Sequence, residues 1–555
     1  DERYQKWRAA DLPILPDDIQ ILPKADKGAR QQIKVIRELL KQVDSVIHAG
    51  DPDREGQLLV DWVLQHHHNR QPVQRLWLQS MTPQAIRDGF EHLRTDKQML
   101  GLADAARSRS EADWLVGING TRAMTAFNSR DGGFFLTTVG RVQTPTLSIM
   151  VEREEKIRKH VARDYWEIKA GFAAAAGDYE GKWFDPKFKK DDDPDRRADR
   201  LWNERDANAI SDAVLGKTGT VTEEAKPSNS SSPLLYDLTT LQREANGRFG
   251  YSAKTTLALA QSLYERHKAL TYPRTDSRAL PEDYLPVVKQ TMDMLADSGM
   301  KHLAPFAKQA IDGNYVKPNK RIFDNAKVSD HFAIIPTLQA PRSLTEVEAK
   351  LYDLVVKRFL AVFFPPAEFM VTTRVTKVAA AGKEHHFQTN GKVLVKPGWM
   401  AVYGKEAQDE DAATLVAVQP NEAVSTDDVA VNALKTKPPA RYSEATLLSA
   451  MEGAGKLIDD EELKAAMTEK GLGTPATRAA IIEGLITEKY IIREGRELIP
   501  TAKSFQLMTL LRGLGVEDLT KPELTGNWEF KLSEMEKGRL SREAFMAEID
   551  RKSVV

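Results

Sequence analysis

Four short segments carry residues whose types and spacing suit chemistry on a phosphate ester. The first is Asp51-Pro-Asp53-Arg-Glu55-Gly56, with three carboxylates on alternating residues. Such carboxylates can converge on one hard cation; Mg²⁺ takes oxygen ligands and keeps waters and substrate phosphates in its shell. Without a cation, the same crowding is repulsive and raises their pKa values. Read without a metal, the segment is a polar turn capping the next helix. The second is Thr271-Tyr272-Pro273-Arg274-Thr275-Asp276-Ser277-Arg278. A tyrosine can attack a phosphodiester and hold it covalently, but at an ordinary pKa of ~10 it needs a cation or base nearby. In an extended segment residues two apart point the same way, which sets Arg274 beside Tyr272. The plainer alternative is a strand edge with an amphipathic tyrosine. The third is Gly140-Arg141-Val-Gln143, preceded by Arg107, Arg109 and Arg122 around Trp114 on a helical pattern. Basic residues interleaved with an aromatic suit single-stranded nucleic acid, and they equally suit a salt-bridged helix surface. The fourth is Ser329-Asp330-His331 ahead of an apolar run. There His331 is a phosphate ligand, a proton shuttle, or a structural histidine entering a core strand.

The elements that must position these residues follow from periodicity. Gln31 to Val43 has helical apolar spacing and Ser45 to Ala49 reads as a short strand. The acidic loop follows that strand, and an amphipathic helix through Leu58, Trp62 and Val63 follows the loop. Strand, loop and helix in that order make an α/β unit, with the loop at the strand end where open α/β sheets bind ligands. Residues 101–160 read as Arg-rich helices, 161–225 and 367–435 as antiparallel β, and 230–345 and 436–555 as mainly helical. Two helical stretches read as distant copies of a winged-helix-like unit. One runs from Tyr236 to Tyr272; the other runs from Tyr442 to Tyr490, with Arg493 to Arg496 as the tip of a wing. In the second, Thr474 is placed to cap a helix whose first residue is Pro475.

The chain has 555 residues, 79 Lys and Arg against 80 Asp and Glu, and no Cys. Its length suits three to five domains. The absence of Cys excludes disulfides, thiolate zinc sites, iron–sulfur clusters and thiol nucleophiles. A net charge of −1 excludes a uniformly basic nucleic-acid binder but allows a local basic groove. Gly453-Ala-Gly-Lys456-Leu457 lacks the glycine spacing and the hydroxyl of a P-loop. Gly471-x-Gly473-x-x-Ala476 follows a helical stretch where a dinucleotide fingerprint needs a strand. ATP and NAD are therefore not indicated. No apolar run approaches the ~18 residues that span a bilayer, so no membrane association is expected.

Together, Ala49-Gly-Asp-Pro-Asp-Arg-Glu-Gly56, Val139-Gly-Arg-Val-Gln-Thr-Pro145, Leu270-Thr-Tyr-Pro-Arg-Thr-Asp276, His331-Phe-Ala-Ile-Ile-Pro-Thr337 and Gly471-Leu-Gly-Thr-Pro-Ala-Thr-Arg478 resemble, in order, the motifs of bacterial type IA DNA topoisomerases of the topoisomerase III group. The resemblance implies a toroidal, multidomain α/β plus α plus β architecture. It implies a Toprim domain over 1–100, helical winged-helix-like single-strand-binding regions over 101–160 and 437–555, a β-rich arch over 161–228 and 345–436, and a winged-helix-like domain carrying the nucleophile over 229–344. It implies Tyr272, Arg274 and His331 as catalytic residues. Arg107, Arg109, Arg122, Arg141, Gln143, Thr477 and Arg478 become DNA contacts, and Asp51, Asp53 and Glu55 the acids of a Mg²⁺ site. The implied reaction is ATP-independent cleavage, passage and religation of single-stranded DNA, relaxing negative supercoils and decatenating DNA. The alternatives are a catalytically silent nucleic-acid clamp and a metal-dependent nuclease. The resemblance also implies a cytoplasmic, nucleoid-associated monomer with a helicase and a single-strand-binding protein as possible partners. The lack of Cys argues against a zinc-ribbon tail, and Met451 to Lys470 resembles a decatenation loop, both favouring the III type. Because the chain opens on Asp1, the N-terminal Toprim segment with its Glu-Lys motif is expected to be missing.

Overall fold

The structure, a computed structural model, describes residues 4–407, 415–468 and 470–553. Near the N-terminus, α1 (Lys27–Leu40) starts earlier than apolar periodicity suggests, because the Asp26 side chain accepts the Ala29 N–H and caps it there. Strand β1 (Val46–His48) leads through the acidic loop into α2 (Arg54–His66). Strand β2 (Val73–Arg75) pairs parallel to β1, and beyond α3 (Pro83–Glu91) the short β3 (Arg94–Thr95) pairs antiparallel to β2. This is the expected α/β unit, with the acidic loop at the C-terminal end of a parallel strand.

Two helices form the next layer: α4 (Asp96–Asn128), 33 residues long, and α5 (Gln143–Lys159). The chain then enters a six-stranded closed barrel. Its strands are β4 (Asp164–Ala174), β5 (Gly177–Phe184), β6 (Thr218–Ser230), β7 (Ala367–Ala380), β8 (Lys383–Lys396) and β9 (Ala423–Lys435), in the order β4-β5-β8-β7-β6-β9. Closure removes the exposed edges that two separate hairpins would leave. Inward residues such as Ile168, Phe172, Val378 and Phe387 fill the barrel. One helix, α6 (Glu204–Val214), interrupts the β region and buries Ala207 and Val214 on this core.

Between the two halves of the barrel lies a helical domain: α7 (Leu238–Phe249), α8 (Ala253–Glu265), α9 (Leu285–Ala296), α10 (Ala304–Asp312) and α11 (Glu346–Phe363). Helix α11 departs from the expected domain boundary. It was expected with the arch, but Leu351, Val355 and Phe359 pack in one core with Leu263, Leu270 and Ile335. A helix with twelve buried positions cannot sit on a barrel surface.

The C-terminal region contains α12 (Glu444–Glu452), α13 (Glu461–Thr468), α14 (Pro475–Thr487), the hairpin β10 (Ile491–Glu494) and β11 (Glu497–Pro500), α15 (Ala502–Gly513), α16 (Glu523–Glu536) and α17 (Arg542–Ser553). The wing at Arg493 to Arg496 is present as β10–β11. Met451 to Lys470 is more than a surface loop: Ile458 and Met467 are buried, and a Cβ on Gly526 of α16 would meet Met467 at 3.1 Å. Helices α16 and α17 close against α4 through Leu115, Trp528, Leu532 and Phe545.

Candidate active site

The acidic loop is held by two devices. Gly56 lies so close to Asp51 that a Cβ there would fall 2.2 Å from the Asp51 carbonyl oxygen, so only glycine lets the loop fold back on itself. Arg75, at the end of β2 and almost fully buried, donates to the carbonyl oxygens of His48, Gly50, Asp51 and Leu76, and its Nε donates to Gln57 at 3.0 Å. Nothing in the sequence singles out Arg75, because an arginine closing a three-residue strand looks like any surface residue. Asp53 caps α2, its carboxylate accepting the Gly56 N–H at 2.6 Å.

The tyrosine segment is extended and docked along a partner strand. Thr271 N–H donates to the Ile335 carbonyl at 3.0 Å, and Thr337 N–H donates to that of Ala269 at 2.9 Å. Thr271, Pro273, Thr275 and Ser277 are buried, while Tyr272, Arg274 and Asp276 turn the other way. The alternation read from the sequence is therefore present, and it comes from pairing with a distant segment. The same pairing delivers His331, because Thr275 Oγ1 donates to the His331 carbonyl at 3.0 Å.

Three segments far apart in sequence thus meet. The rings of Tyr272 and His331 are 4.2 Å apart, and His331 Nε2 lies 3.6 Å from Asp51 Oδ2 and 3.8 Å from Asp330 Oδ2. Burial pushes the His331 pKa down, but Asp51, Asp330 and Asp53 outweigh it and leave it raised. Asp51 is correspondingly lowered, chiefly by His331. Asp53 is raised by burial and by the charges of Asp330 and Asp51, against the pull of the Gly56 N–H. The Tyr272 phenol is raised by burial, opposed by Arg274. Asp330 belongs to the Ser329-Asp330-His331 segment of the sequence but has no role of its own there; in the structure it faces His331.

The third acid points elsewhere. Glu55 forms an ion pair with Arg109 on α4, so the three carboxylates do not converge as expected. Among the described residues no group of three acids and histidines is drawn together tightly enough to hold an ion. Asp51 and Asp53 nevertheless fit a hard cation in donor type, and the charges of Asp330 and Asp51 that add to the effect of burial on Asp53 are ones a cation would offset.

The chain's similarities to known proteins agree with this convergence. The DNA topoisomerase family profile matches residues 97–547 and the Toprim domain profile matches residues 11–81. The chain is 39% identical over 560 residues to the DNA topoisomerase 3 of Bacillus licheniformis, covering 99% of this chain and 73% of that one. It is 39% identical over 562 residues to that of Bacillus subtilis, with the same coverage. The chain belongs to the type IA DNA topoisomerases. Within that family it is topoisomerase III-like. The full-length topoisomerase I of Thermotoga maritima shares the fold at a TM-score of 0.68 and 22% identity, covering 95% of this chain and 80% of that one. The toroidal multidomain architecture of the family follows. The expectation of a missing Toprim segment is overturned: the Toprim profile matches residues 11–81, which take in α1, β1, α2 and β2.

A topoisomerase acts on single-stranded DNA, and here the arginines expected to touch it are largely engaged within the chain. Arg107 pairs with Glu111 at 2.7 Å. Arg109 pairs with Glu55, and Arg122 donates to the Tyr4 carbonyl at 2.7 Å. Arg141 is buried, bonded through Nε and Nη2 to Asp113 at 2.7 and 3.0 Å, with its guanidinium over the Trp528 ring. Arg478 is also buried, donating to the carbonyls of Leu472 and Lys470 and to Thr239 Oγ1. Thr477 belongs to the capping box of α14. Gln143 bonds Thr138 Oγ1 at 3.1 Å. As found in this structure, Arg141 and Arg478 are buried in contacts within the chain, Arg478 joining α14 to α7, and are not free phosphate donors. The reason is tertiary: α16 brings Glu529 beside Arg54, Arg109, Arg141 and Lys470. Burial pushes the Glu529 carboxyl up, but those four cations outweigh it and hold it at about 2. Arg274, by contrast, is exposed. No helix of the described residues is long and apolar enough to cross a membrane.

Proposed function

We propose that Tyr272 is the nucleophile of a 5′-phosphotyrosine mechanism, with Arg274 and His331 on the transferring phosphate. One observation carries this reading: Tyr272, His331 and Asp51, from three separate motifs, stand in sequence at 4.2 Å between rings and 3.6 Å between charges. Tyr272 Oη loses its proton and bonds to phosphorus as the bond to the upstream 3′ oxygen breaks; that oxygen gains a proton and leaves as a 3′-hydroxyl. The bond energy is kept in the ester, so resealing is the reverse attack and needs no nucleotide. The raised phenol pKa means that Tyr272 starts protonated, and the charge of Arg274, which opposes that rise, favours loss of the proton. His331, held toward its protonated form by three carboxylates, donates to a phosphate oxygen. When bound at Asp51 and Asp53, Mg²⁺ would neutralise phosphate charge and hold the 3′-hydroxyl for resealing.

Strand passage requires the Tyr272 domain to part from the Toprim domain, and among the described residues that boundary carries, besides the His331–Asp51 ion pair, individually weak polar bonds. Gln79 donates to the carbonyls of Val328 and Ser329, and Ser80 and Thr82 donate to Asp283. Each such bond contributes about 1 kcal/mol net, a barrier that thermal motion crosses. The domain boundaries given above, adjusted to place α11 with the Tyr272 domain, are part of the same reading. So are action as a cytoplasmic, nucleoid-associated monomer and cooperation with a helicase and a single-strand-binding protein. The silent clamp and the nuclease are not favoured. Negatively supercoiled plasmid incubated without ATP tests the activity. Relaxation in Mg²⁺ that stops on chelation is expected; linear or nicked product alone would support the nuclease.

A further inference from the structure

The loop between α4 and α5 exposes aromatic surface that the proposed chemistry does not use. Phe134 is 64% exposed and Phe135 59%. Phe134 meets the Trp7 ring edge-on at 5.5 Å, the Arg122 guanidinium lies 5.0 Å over Trp7, and Arg130 lies 5.5 Å from the ring of Phe127. Large exposed apolar groups in contiguity mark an interaction surface. Its rim is basic: Lys6 and Arg8 flank Trp7 in sequence, and Arg130 is exposed beside Asp131 at 3.6 Å.

We infer that Trp7, Phe134 and Phe135 form a stacking platform for unpaired bases of the single-stranded DNA substrate. This rests on the reading of the chain as an enzyme acting on single strands. Three observations select that occupant. Phe134 and Phe135 are more than half exposed and so present ring surface to solvent, and every base has a face that stacks on an aromatic ring regardless of sequence. The surrounding cations match phosphates. The platform also lies on the chain segment that runs into the Gly140–Gln143 motif: Thr138 follows Phe135 by three residues and Gln143 by eight. A plain hydrophobic contact with a protein would need apolar area but neither flat rings nor a basic rim.

Fluorescence anisotropy with labelled oligothymidylate tests the inference on the full chain. The double variant F134A/F135A is expected to bind at least about fivefold more weakly, with its thermal unfolding unchanged because both rings are exposed. F134L/F135L is expected to bind almost as weakly, because leucine keeps the apolar area but cannot stack. Replacing bases by abasic sites should weaken binding to the native chain and have less effect on the double variant, as expected for coupled partners. Equal affinity of all three proteins would overturn the platform, as would full rescue by leucine or a change confined to self-association. Failure of the topoisomerase reading is separate: the native chain would then form no covalent adduct, whatever its affinity.

Discussion

The two winged-helix-like units begin alike and end differently. Each starts with a capped helix, α7 at Asp237 and α12 at Ser443, and a later helix capped by Ser252 or Thr474 matches in both, with α13 inserted between the two in the C-terminal unit. They pack face to face: Ala253 N–H donates to Glu444 at 2.7 Å, and Arg478 donates to Thr239 at 2.8 Å. After this matching helix they diverge. In the C-terminal unit the chain forms its own wing, and Tyr490 is buried with its hydroxyl donating to the Thr138 carbonyl at 3.2 Å. In the first unit there is no wing. Leu270 bridges instead to Pro336, and Tyr272 is left half-buried, facing His331 and the acidic loop. Pairing with a distant strand in place of a local hairpin is what turns one tyrosine from a core residue into a candidate nucleophile.

That contrast can be broken at several places. The largest effect is expected at Tyr272→Phe, which removes the attacking oxygen and should reduce plasmid relaxation to background with no change in thermal unfolding. Next comes the arginine contrast. Arg274→Ala should lower the cleavage rate about a hundredfold, as loss of one charge-stabilising donor does, while shifting stability by no more than about 0.5 kcal/mol because the residue is exposed. Arg478→Ala should do the opposite, costing about 1–3 kcal/mol for carbonyls left without donors, with cleavage by the folded fraction retained. Urea midpoints and single-turnover cleavage separate the two.

Glu529→Gln breaks a buried charge network and should cost about 3–5 kcal/mol near neutral pH. The folded carboxyl sits at about 2, below its ordinary value of 4.5. Its stabilisation is therefore complete above pH 4.5 and is lost as pH falls toward 2. Urea midpoints of native and variant chains should differ by a constant amount from pH 6 to 4.5 and converge as pH is lowered further toward 2. The smallest effect is expected at Tyr490→Phe, which loses one hydrogen bond worth about 1 kcal/mol and leaves cleavage intact.

Much of the site was legible because its logic is local. The acidic loop between strand and helix, the outward alternation of Tyr272 and Arg274, and the cap of α14 all follow from residue types at fixed spacing. What depended on tertiary partners was not legible. Arg141 reads as a phosphate contact until α4 supplies Asp113 and α16 supplies Trp528. Glu55 reads as a third metal acid until Arg109 lies beside it. Helix α11 adjoins the arch strands in sequence, yet its buried face fits only the Tyr272 domain. Barrel closure joins β4 to β9 across more than 250 residues, and alternation within single strands cannot signal it.

The central claim is that Tyr272 forms a covalent bond to the 5′-phosphate of cleaved single-stranded DNA. Denaturing electrophoresis of an oligonucleotide labelled at either end tests it directly. The native chain should carry the 3′-end label at protein mobility and release the 5′-end label as a short fragment with a free 3′-hydroxyl, and Tyr272→Phe should do neither. An adduct formed by that variant, or an adduct carrying the 5′-end label, would contradict the account.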